Sequence, residues 1–82
     1  MKIKIYTMEH CPYCVRAKQL LTEKKIPFEE FRVTEEDDAE WDRLFQLSGM
    51  RTMPQIFKGD QLIGGYTELA ELNKKDGLQS LK

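Results

Sequence analysis

The fold is decided by residues 3–18, which have the sequence IKIYTMEHCPYCVRAK. At the start of this stretch, apolar side chains alternate with lysines, which is the period of a β-strand whose two faces meet different surroundings. Pro12 then suits the first position of a helix, where its missing N–H removes no hydrogen bond. Cys14, Ala17 and Leu21 follow at helical spacing. The stretch therefore predicts a strand that leads directly into a helix, with two cysteines at the junction.

The residues after this junction predict a second strand. Val15 and Leu20 widen the apolar face of the predicted helix, and Pro27 ends it. Phe31 and Val33 alternate with charged residues at the period of a strand. A strand, a helix and a strand within about 30 residues form a βαβ unit with a right-handed crossover.

The acidic run of residues 35–40 either holds a cation or forms the first turn of a helix. The helix is the better interpretation, because carboxylates are stabilised by the positive end of the helix dipole. Trp41 and Leu44 follow at helical spacing, and Gly49 suits the end of the helix.

The C-terminal half predicts a hairpin and a last helix. Residues 55–58 and 61–63 predict two short strands. Between them, Gly59 suits the first central position of a type II′ turn, or Gly59-Asp60 a related tight turn. The last helix is expected from about residue 67 to about residue 73, followed by a polar break and a short tail. The order βαβαββα favours one α/β domain over residues 1–82, with helices on the faces of one mixed sheet.

The composition excludes several classes of protein. Because 13 Lys+Arg balance 14 Asp+Glu, the net charge is −1, which is not typical of a basic protein that binds the phosphate backbone of nucleic acids. Nowhere do four apolar residues run together, and the N-terminal segment lacks the apolar block of a secretory signal. We therefore expect a cytoplasmic protein that binds neither nucleic acid nor a membrane.

The two cysteines, Cys11 and Cys14, have the spacing C-x-x-C. A disulfide between them closes a very small loop, which stabilises a fold by only about 2 kcal/mol in the chain-entropy estimate. Structural zinc needs about four ligands, and His10 is the only histidine, so no metal is expected. The remaining interpretation is a pair that opens and closes as a reversible disulfide.

Cys11 is predicted to cap the first helix. There its sulfur meets the free N–H groups of Tyr13 and Cys14 and the positive end of the helix dipole. Both effects favour the thiolate, so we expect the pKa of Cys11 to fall below the ordinary value of about 8.5. Cys14 lies one turn further into the helix, and a Cα separation of about 5–6 Å permits a disulfide. Cys11 is therefore expected to attack and Cys14 to resolve.

The neighbours of the cysteines leave two interpretations open. His10, Arg16 and Lys18 either raise the electrostatic potential beside Cys11 or are ordinary solvated side chains. Tyr13 is expected to be exposed beside the sulfur, where its ring can flank a bound chain.

Three segments resemble one known family. The tetrapeptide CPYC at residues 11–14 is similar to the active site of dithiol glutaredoxins, and residues 11–18 (CPYCVRAK) are especially similar to bacterial members. Residues 51–54 (RTMP) resemble the family's Thr-Val-Pro loop, and residues 63–69 (IGGYTEL) resemble its Gly-Gly turn. The resemblance implies the thioredoxin fold, a four-stranded mixed sheet flanked by helices.

The same resemblance implies a glutathione-dependent thiol–disulfide oxidoreductase. It would reduce protein disulfides and glutathione mixed disulfides through a reversible Cys11–Cys14 disulfide, with glutathione as the reductant. The expected partners are disulfide-containing or glutathionylated proteins, with ribonucleotide reductase as one candidate, and we expect a monomer. Two other functions stay open: an electron donor reduced by thioredoxin reductase, and a non-enzymatic iron–sulfur cluster carrier.

The resemblance also implies a binding site. Pro54 would follow a cis peptide bond that opens the Met53 backbone to an added strand. The Gly64-Gly65 turn would let a ligand approach the backbone, and Thr67 would cap the last helix. The implied glutathione-binding residues are Tyr13, Arg51, Thr52, Met53, Pro54, Gly65, Tyr66 and Thr67.

Two positions depart from the family. Many glutaredoxins carry Lys or Arg where this chain has Met8, near the glycyl carboxylate of glutathione, and some carry Gln where it has Trp41. Arg51 remains as a candidate cation. We therefore expect weaker binding of glutathione, and an apolar rim of Met8, Met50, Met53 and Trp41 that suits a protein partner.

Overall fold

Helices and strands follow one another in the predicted order βαβαββα in the computed structural model, which describes residues 2–82. They are β1 (Ile3–Thr7), α1 (Pro12–Glu23), β2 (Phe28–Arg32), α2 (Asp38–Ser48), β3 (Gln55–Lys58), β4 (Gln61–Gly64) and α3 (Tyr66–Asp76), and a short 3-10 helix spans Gln79–Leu81. Met1, which belongs to the predicted domain of residues 1–82, lies outside the described residues. None of the helices between residues 2 and 82 is long and apolar enough to cross a membrane.

The strands form one mixed sheet in the order β2-β1-β3-β4. β1 runs parallel to β2 and antiparallel to β3, where Tyr6 lies beside Gln55. β3 and β4 form the predicted hairpin, and Gly59 has the positive φ of 60° that its tight turn requires. Because the central strands β1 and β3 are antiparallel, the carboxyl end of β1 lies next to the amino end of β3.

The core consists of two apolar clusters, one on each face of the sheet. α1 and α3 pack against each other and cover the face that carries Ile5 and Ile56, which we call the first cluster. α2 covers the face that carries Tyr6 and Phe57, the second cluster, and Cys14 at the amino end of α1 packs into it. The other buried members are Ile3, Ala17, Leu21, Ile26, Leu69, Leu78 and Leu81 in the first cluster, and Val33, Leu44 and Met53 in the second.

α1 and β2 depart from their predicted bounds in small ways. α1 ends before Pro27, because Lys25 adopts the left-handed backbone conformation (φ 59°) and turns the chain. β2 ends just before Val33, although the Val33 N–H still donates to a carbonyl oxygen of β1 at 2.7 Å. Val15 is exposed, so the prediction that it widens the apolar face of α1 is wrong.

The amino end of α3 also differs from the prediction. Thr67 lies inside the first turn of the helix, and Gly65 occupies the cap position, so the prediction of a Thr67 cap is wrong. The physical reason is Glu68, whose carboxylate accepts a hydrogen bond from the Gly65 N–H at 2.6 Å. A glutamate three residues after the cap satisfies the free N–H of the cap residue and needs no side chain there.

The predicted C-terminal tail is part of the core. Leu78 is 0% exposed, and it packs with Leu81 into the first cluster. The Asp76 carboxylate accepts a hydrogen bond from the Leu78 N–H at 2.9 Å, and the Lys58 ammonium donates one to the Ser80 carbonyl at 2.6 Å. These bonds hold the last residues against the sheet.

A charged network links α1 to the sheet. The Glu30 carboxylate accepts hydrogen bonds from the Thr7 hydroxyl at 2.7 Å and from the Lys18 ammonium at 3.1 Å, and Arg32 lies 3.7 Å from it. These partners stabilise the ionised carboxylate, so the pKa of Glu30 is lowered, chiefly by the Thr7 hydrogen bond. Lys18 is thus paired with a carboxylate of β2.

Leu78→Ala should destabilise the protein by about 2–5 kcal/mol, because it removes buried methyl groups and leaves a cavity in the first cluster. Leu47→Ala is the matched control, because Leu47 is 57% exposed on α2. The control should change the free energy of unfolding by less than about 0.5 kcal/mol. Urea unfolding followed by circular dichroism measures both. Equally small losses in the two variants would show that Leu78 does not contribute to the core.

Thr7→Val should destabilise the protein more at neutral than at acidic pH. Because the folded-state pKa of Glu30 is lowered, its ionised carboxylate adds stability above its ordinary pKa, and this stability is lost as the pH falls through the folded-state pKa. The variant removes the largest cause of that lowering. Urea unfolding between about pH 2 and about pH 7 measures the difference from the native protein.

Thr22→Val is the control for this prediction. Its hydroxyl donates to the Lys18 carbonyl oxygen at 2.9 Å, an acceptor that does not titrate, so its effect on stability should be the same at every pH. A profile for Thr7→Val as flat as that of Thr22→Val would contradict the assignment of the Glu30 pKa to the Thr7 hydroxyl.

Candidate active site

Cys11 lies at the junction of β1 and α1 and caps the helix, as predicted. Its backbone is extended (φ −113°, ψ 97°), and its sulfur accepts a hydrogen bond from the Cys14 N–H at 3.2 Å. The Cys11 carbonyl in turn accepts from the Val15 N–H at 3.2 Å, which begins the helical bonding pattern. The sulfur is therefore held at the positive end of α1.

The two cysteines are placed for a disulfide. Their Cα atoms are 5.2 Å apart, inside the range that a disulfide spans, and the structure has them bonded. Their accessibility is unequal: Cys14 is 2% exposed and packs into the second cluster, whereas Cys11 is only partly buried. A molecule that approaches from solvent therefore meets the Cys11 sulfur first.

The loop between α2 and β3 forms one wall beside Cys11. The Cys11 sulfur lies 3.7 Å from the Met53 carbonyl oxygen. The peptide bond between Met53 and Pro54 is cis, as the resemblance implies, and both residues are buried. The Met53 main chain thus lies directly beside the Cys11 sulfur.

Two side chains that sequence reasoning missed hold this loop. The Gln55 amide nitrogen donates to the carbonyl oxygens of Met50 at 3.1 Å and Thr52 at 3.2 Å. The Ser48 hydroxyl accepts from the Met50 N–H at 3.0 Å. The sequence feature that could have indicated the role of Gln55 is a polar residue in a short predicted strand, directly before the apolar Ile56 and Phe57.

The glycine turn before α3 packs against the same loop. A Cβ atom on Gly65 would lie 3.3 Å from the Pro54 carbonyl oxygen, so the glycine permits this close approach. Gly64 has a φ of 129°, and a Cβ there would lie 2.6 Å from the Glu68 Cγ. The packing of the turn against Pro54 and Glu68 therefore explains why glycine occupies both positions.

Tyr13, between the two cysteines in sequence, lies close to Tyr66 of α3. Tyr13 is 54% exposed, as expected, and its ring centroid lies 6.0 Å from that of Tyr66. The Arg16 guanidinium lies 5.3 Å from the centroid of the Tyr13 ring. Thr67 follows Tyr66 and is exposed. The structure thus brings Tyr66, the first residue of α3, close to Tyr13, which lies between the two cysteines in sequence.

Arg51 is directed toward α2. Its guanidinium lies 4.2 Å from the centroid of the Phe45 ring and 3.9 Å from the Asp42 carboxylate. Met8 lines the groove that contains Cys11, and it also lines a neighbouring groove with Trp41 and Arg51. Met8 therefore borders both the groove that contains Cys11 and the groove that contains the candidate cation Arg51.

His10 precedes the pair in a left-handed backbone conformation (φ 57°) and is exposed. It lines the Cys11 groove together with Lys18, whose charge is already paired with Glu30. Within residues 2–82, the structure contains no group of three His, Cys, Asp or Glu side chains placed to hold a metal ion.

Comparison with known proteins identifies the family. The glutaredoxin family model matches residues 3–63. Over 79 residues the chain is 42% identical to Glutaredoxin 3 of Escherichia coli strain K12, covering 96% of this chain and 94% of that protein. Over 80 residues it is 41% identical to a probable glutaredoxin of Synechocystis, covering 98% of this chain and 73% of that protein.

A solved structure confirms the expected thioredoxin fold. The buckwheat glutaredoxin–glutathione complex superposes with a TM-score of 0.88 at 27% identity, covering 96% of this chain and 74% of that one. The matched segment of residues 3–63 contains both cysteines and the loop beside them. The chain therefore belongs to the glutaredoxin family, and it is a thiol–disulfide oxidoreductase whose Cys11–Cys14 pair can form a disulfide.

Proposed function

We propose that Cys11 is the attacking nucleophile and Cys14 the resolving thiol of a glutathione-dependent reaction. The Cys11 thiolate attacks one sulfur of a protein disulfide, forms a mixed disulfide with it and releases the other substrate sulfur as a thiolate. The Cys14 thiolate then attacks the Cys11 sulfur, which releases the second substrate thiolate and leaves the Cys11–Cys14 disulfide. The substrate gains two electrons, and the cysteine pair loses them.

Glutathione returns these electrons in two steps. One glutathione thiolate attacks the Cys11 sulfur, which forms a Cys11–glutathione mixed disulfide and releases the Cys14 thiolate. A second glutathione thiolate attacks the glutathione sulfur of that bond, which releases the Cys11 thiolate and forms oxidised glutathione. For a glutathionylated substrate, Cys11 alone suffices, because its attack forms the same mixed disulfide directly.

The unequal burial of the two sulfurs carries this assignment. Both cysteines line one groove, in which Cys11 is partly exposed and Cys14 is only 2% exposed. The hydrogen bond from the Cys14 N–H and the positive dipole at the amino end of α1 both favour negative charge on the Cys11 sulfur. The accessible sulfur is therefore the better nucleophile, and the enclosed one is positioned to displace a bound substrate.

The loop beside Cys11 and the glycine turn form the proposed glutathione-binding surface. The Met53 main chain would pair with the ligand as an added strand does, and the first N–H groups of α3 would receive a carboxylate. The likeness to a glutaredoxin solved with glutathione supports this placement. The proposed contact residues are Tyr13, Arg51, Thr52, Met53, Pro54, Gly65, Tyr66 and Thr67.

The proposed setting is the cytoplasm, because a reducing compartment keeps such a dithiol available for electron transfer. The proposed partners are disulfide-containing or glutathionylated proteins. Ribonucleotide reductase is one candidate among them, and the chain would act as a monomer.

Cys14→Ser should keep its rate on the mixed disulfide of glutathione and 2-mercaptoethanol within about twofold, because only Cys11 reacts there. It should lose nearly all activity on a protein disulfide, which needs the resolving thiol. Cys11→Ser is the control and should lose both activities. Coupled assays with glutathione and glutathione reductase measure the rates.

Loss of both activities in Cys14→Ser would contradict the two roles. Turnover of the native protein with thioredoxin reductase, in an assay where glutathione supports none, would contradict the proposed reductant.

Met8→Lys should lower KM for the glutathione mixed disulfide about fivefold, with kcat unchanged, because a surface ion pair with the ligand carboxylate is worth up to about 1 kcal/mol. Met8 lines the Cys11 groove, whereas Arg51 is engaged with Asp42 and Phe45. Thr22→Lys adds the same charge at the far end of α1 and should leave KM unchanged. An unchanged KM in Met8→Lys would show that a cation at this position does not matter.

A further inference from the structure

We infer that Gln55 is a positioning residue, which holds the loop of residues 50–53 in the shape that receives the substrate beside Cys11. The inference rests on the proposed function, since it assumes that the Met53 main chain binds the substrate. Gln55 acts through the loop, and the sulfur itself is activated separately by α1.

The Gln55 side chain ties the loop to a rigid part of the sheet. It is 0% exposed, and it begins the central strand β3, where it pairs with Tyr6 of β1. Its amide nitrogen donates one hydrogen bond to the Met50 carbonyl at 3.1 Å and one to the Thr52 carbonyl at 3.2 Å. The loop is therefore fixed twice, on either side of Arg51.

A side-chain amide is suited to make these two bonds. A primary amide nitrogen carries two hydrogens, and both are used here. A carboxylate in the same place would face the two carbonyl oxygens with no proton to donate. An apolar side chain would leave both carbonyl oxygens without these donors.

The oxygen of the same amide argues against a purely stabilising role. Gln55 Oε1 is buried, and it has no hydrogen-bond partner in the main chain or side chains of residues 2–82. A buried oxygen without a partner destabilises a fold, and a methionine of similar length would bury none. The position thus tolerates an unfavourable oxygen while the nitrogen supplies two donors to the loop.

The shape of the loop determines where a bound chain lies. The Met53 carbonyl oxygen is 3.7 Å from the Cys11 sulfur, and the Pro54 carbonyl packs against Gly65. Both groups come directly after the part of the loop that Gln55 fixes. Without its two bonds, the peptide groups before Met53 can rotate, which moves its N–H and C=O out of the position that pairs with a bound chain.

Gln55→Met tests the inference, because it removes both donors and keeps a side chain of similar length. We expect KM for the mixed disulfide of glutathione and 2-mercaptoethanol to rise about tenfold, with kcat within about twofold of the native value. The ionisation of the Cys11 thiol, followed by ultraviolet absorbance, should stay native, because it depends on α1. An unchanged KM would overturn the inference.

Ile56→Val is the matched control. Ile56 is the next residue of β3, and it is buried on the opposite face of the sheet, in the first cluster. The variant loses stability without touching the loop, so its KM should remain native. An equal rise of KM in Ile56→Val would assign the effect to a general loss of stability and overturn the inference.

Gln55→Glu keeps the inference testable if Gln55→Met does not fold. The ionised carboxylate cannot donate a hydrogen bond, whereas the protonated acid can donate one. The ratio of its KM to the native KM, measured at each pH, should therefore fall as the pH decreases. A ratio that is independent of pH would overturn the inference. Inactivity of the native protein would instead refute the proposed function.

Discussion

The hydrogen bond from the Cys14 N–H to the Cys11 sulfur joins the fold of this glutaredoxin to its chemistry. It caps α1 immediately after the chain leaves β1, and it gives the sulfur a donor that favours negative charge. Serine, aspartate and asparagine are the usual residues at such a cap, and each would satisfy the helix equally well. A cysteine at this position is therefore explained by its reactivity and not by the stability of the helix.

The topology of the sheet brings the Met53–Pro54 part of the candidate site to that sulfur. β1 and β3 are antiparallel neighbours, so the carboxyl end of β1 and the amino end of β3 lie at the same end of the sheet, with Tyr6 beside Gln55. The chain leaves this end of the sheet through Cys11 and returns to it through Met53 and Pro54. Parts of the sequence more than forty residues apart thus meet because of strand order, as the contact of Cys11 with Met53 shows (a separation of 42 residues).

Short-range patterns predicted much of this arrangement, because they depend on neighbouring residues. The cap at Cys11, the end of α2 at Gly49 and the turn at Gly59 follow from local backbone preferences. The predictions that were wrong concern residues whose positions depend on contacts distant in sequence or on competition between neighbouring residues. Leu78 looked like part of a tail, because its partners belong to other elements. Thr67 does not cap α3, because the Glu68 carboxylate accepts the hydrogen bond of the Gly65 N–H and makes Gly65 the cap residue. The hydrogen bonds of Gln55 could not be predicted, because they are made to a loop whose conformation exists only in the folded chain.

The outer strand β2 has a consequence for how this protein meets other chains. An edge strand offers unpaired main-chain groups on which a foreign strand can assemble into aggregates. Here that edge carries exposed charges of both signs, on Glu29, Glu30 and Arg32, and Lys2 and Lys18 extend the charged rim. Charged side chains along an edge disfavour the addition of another strand. The charged residues of β2 thereby disfavour self-association through this strand.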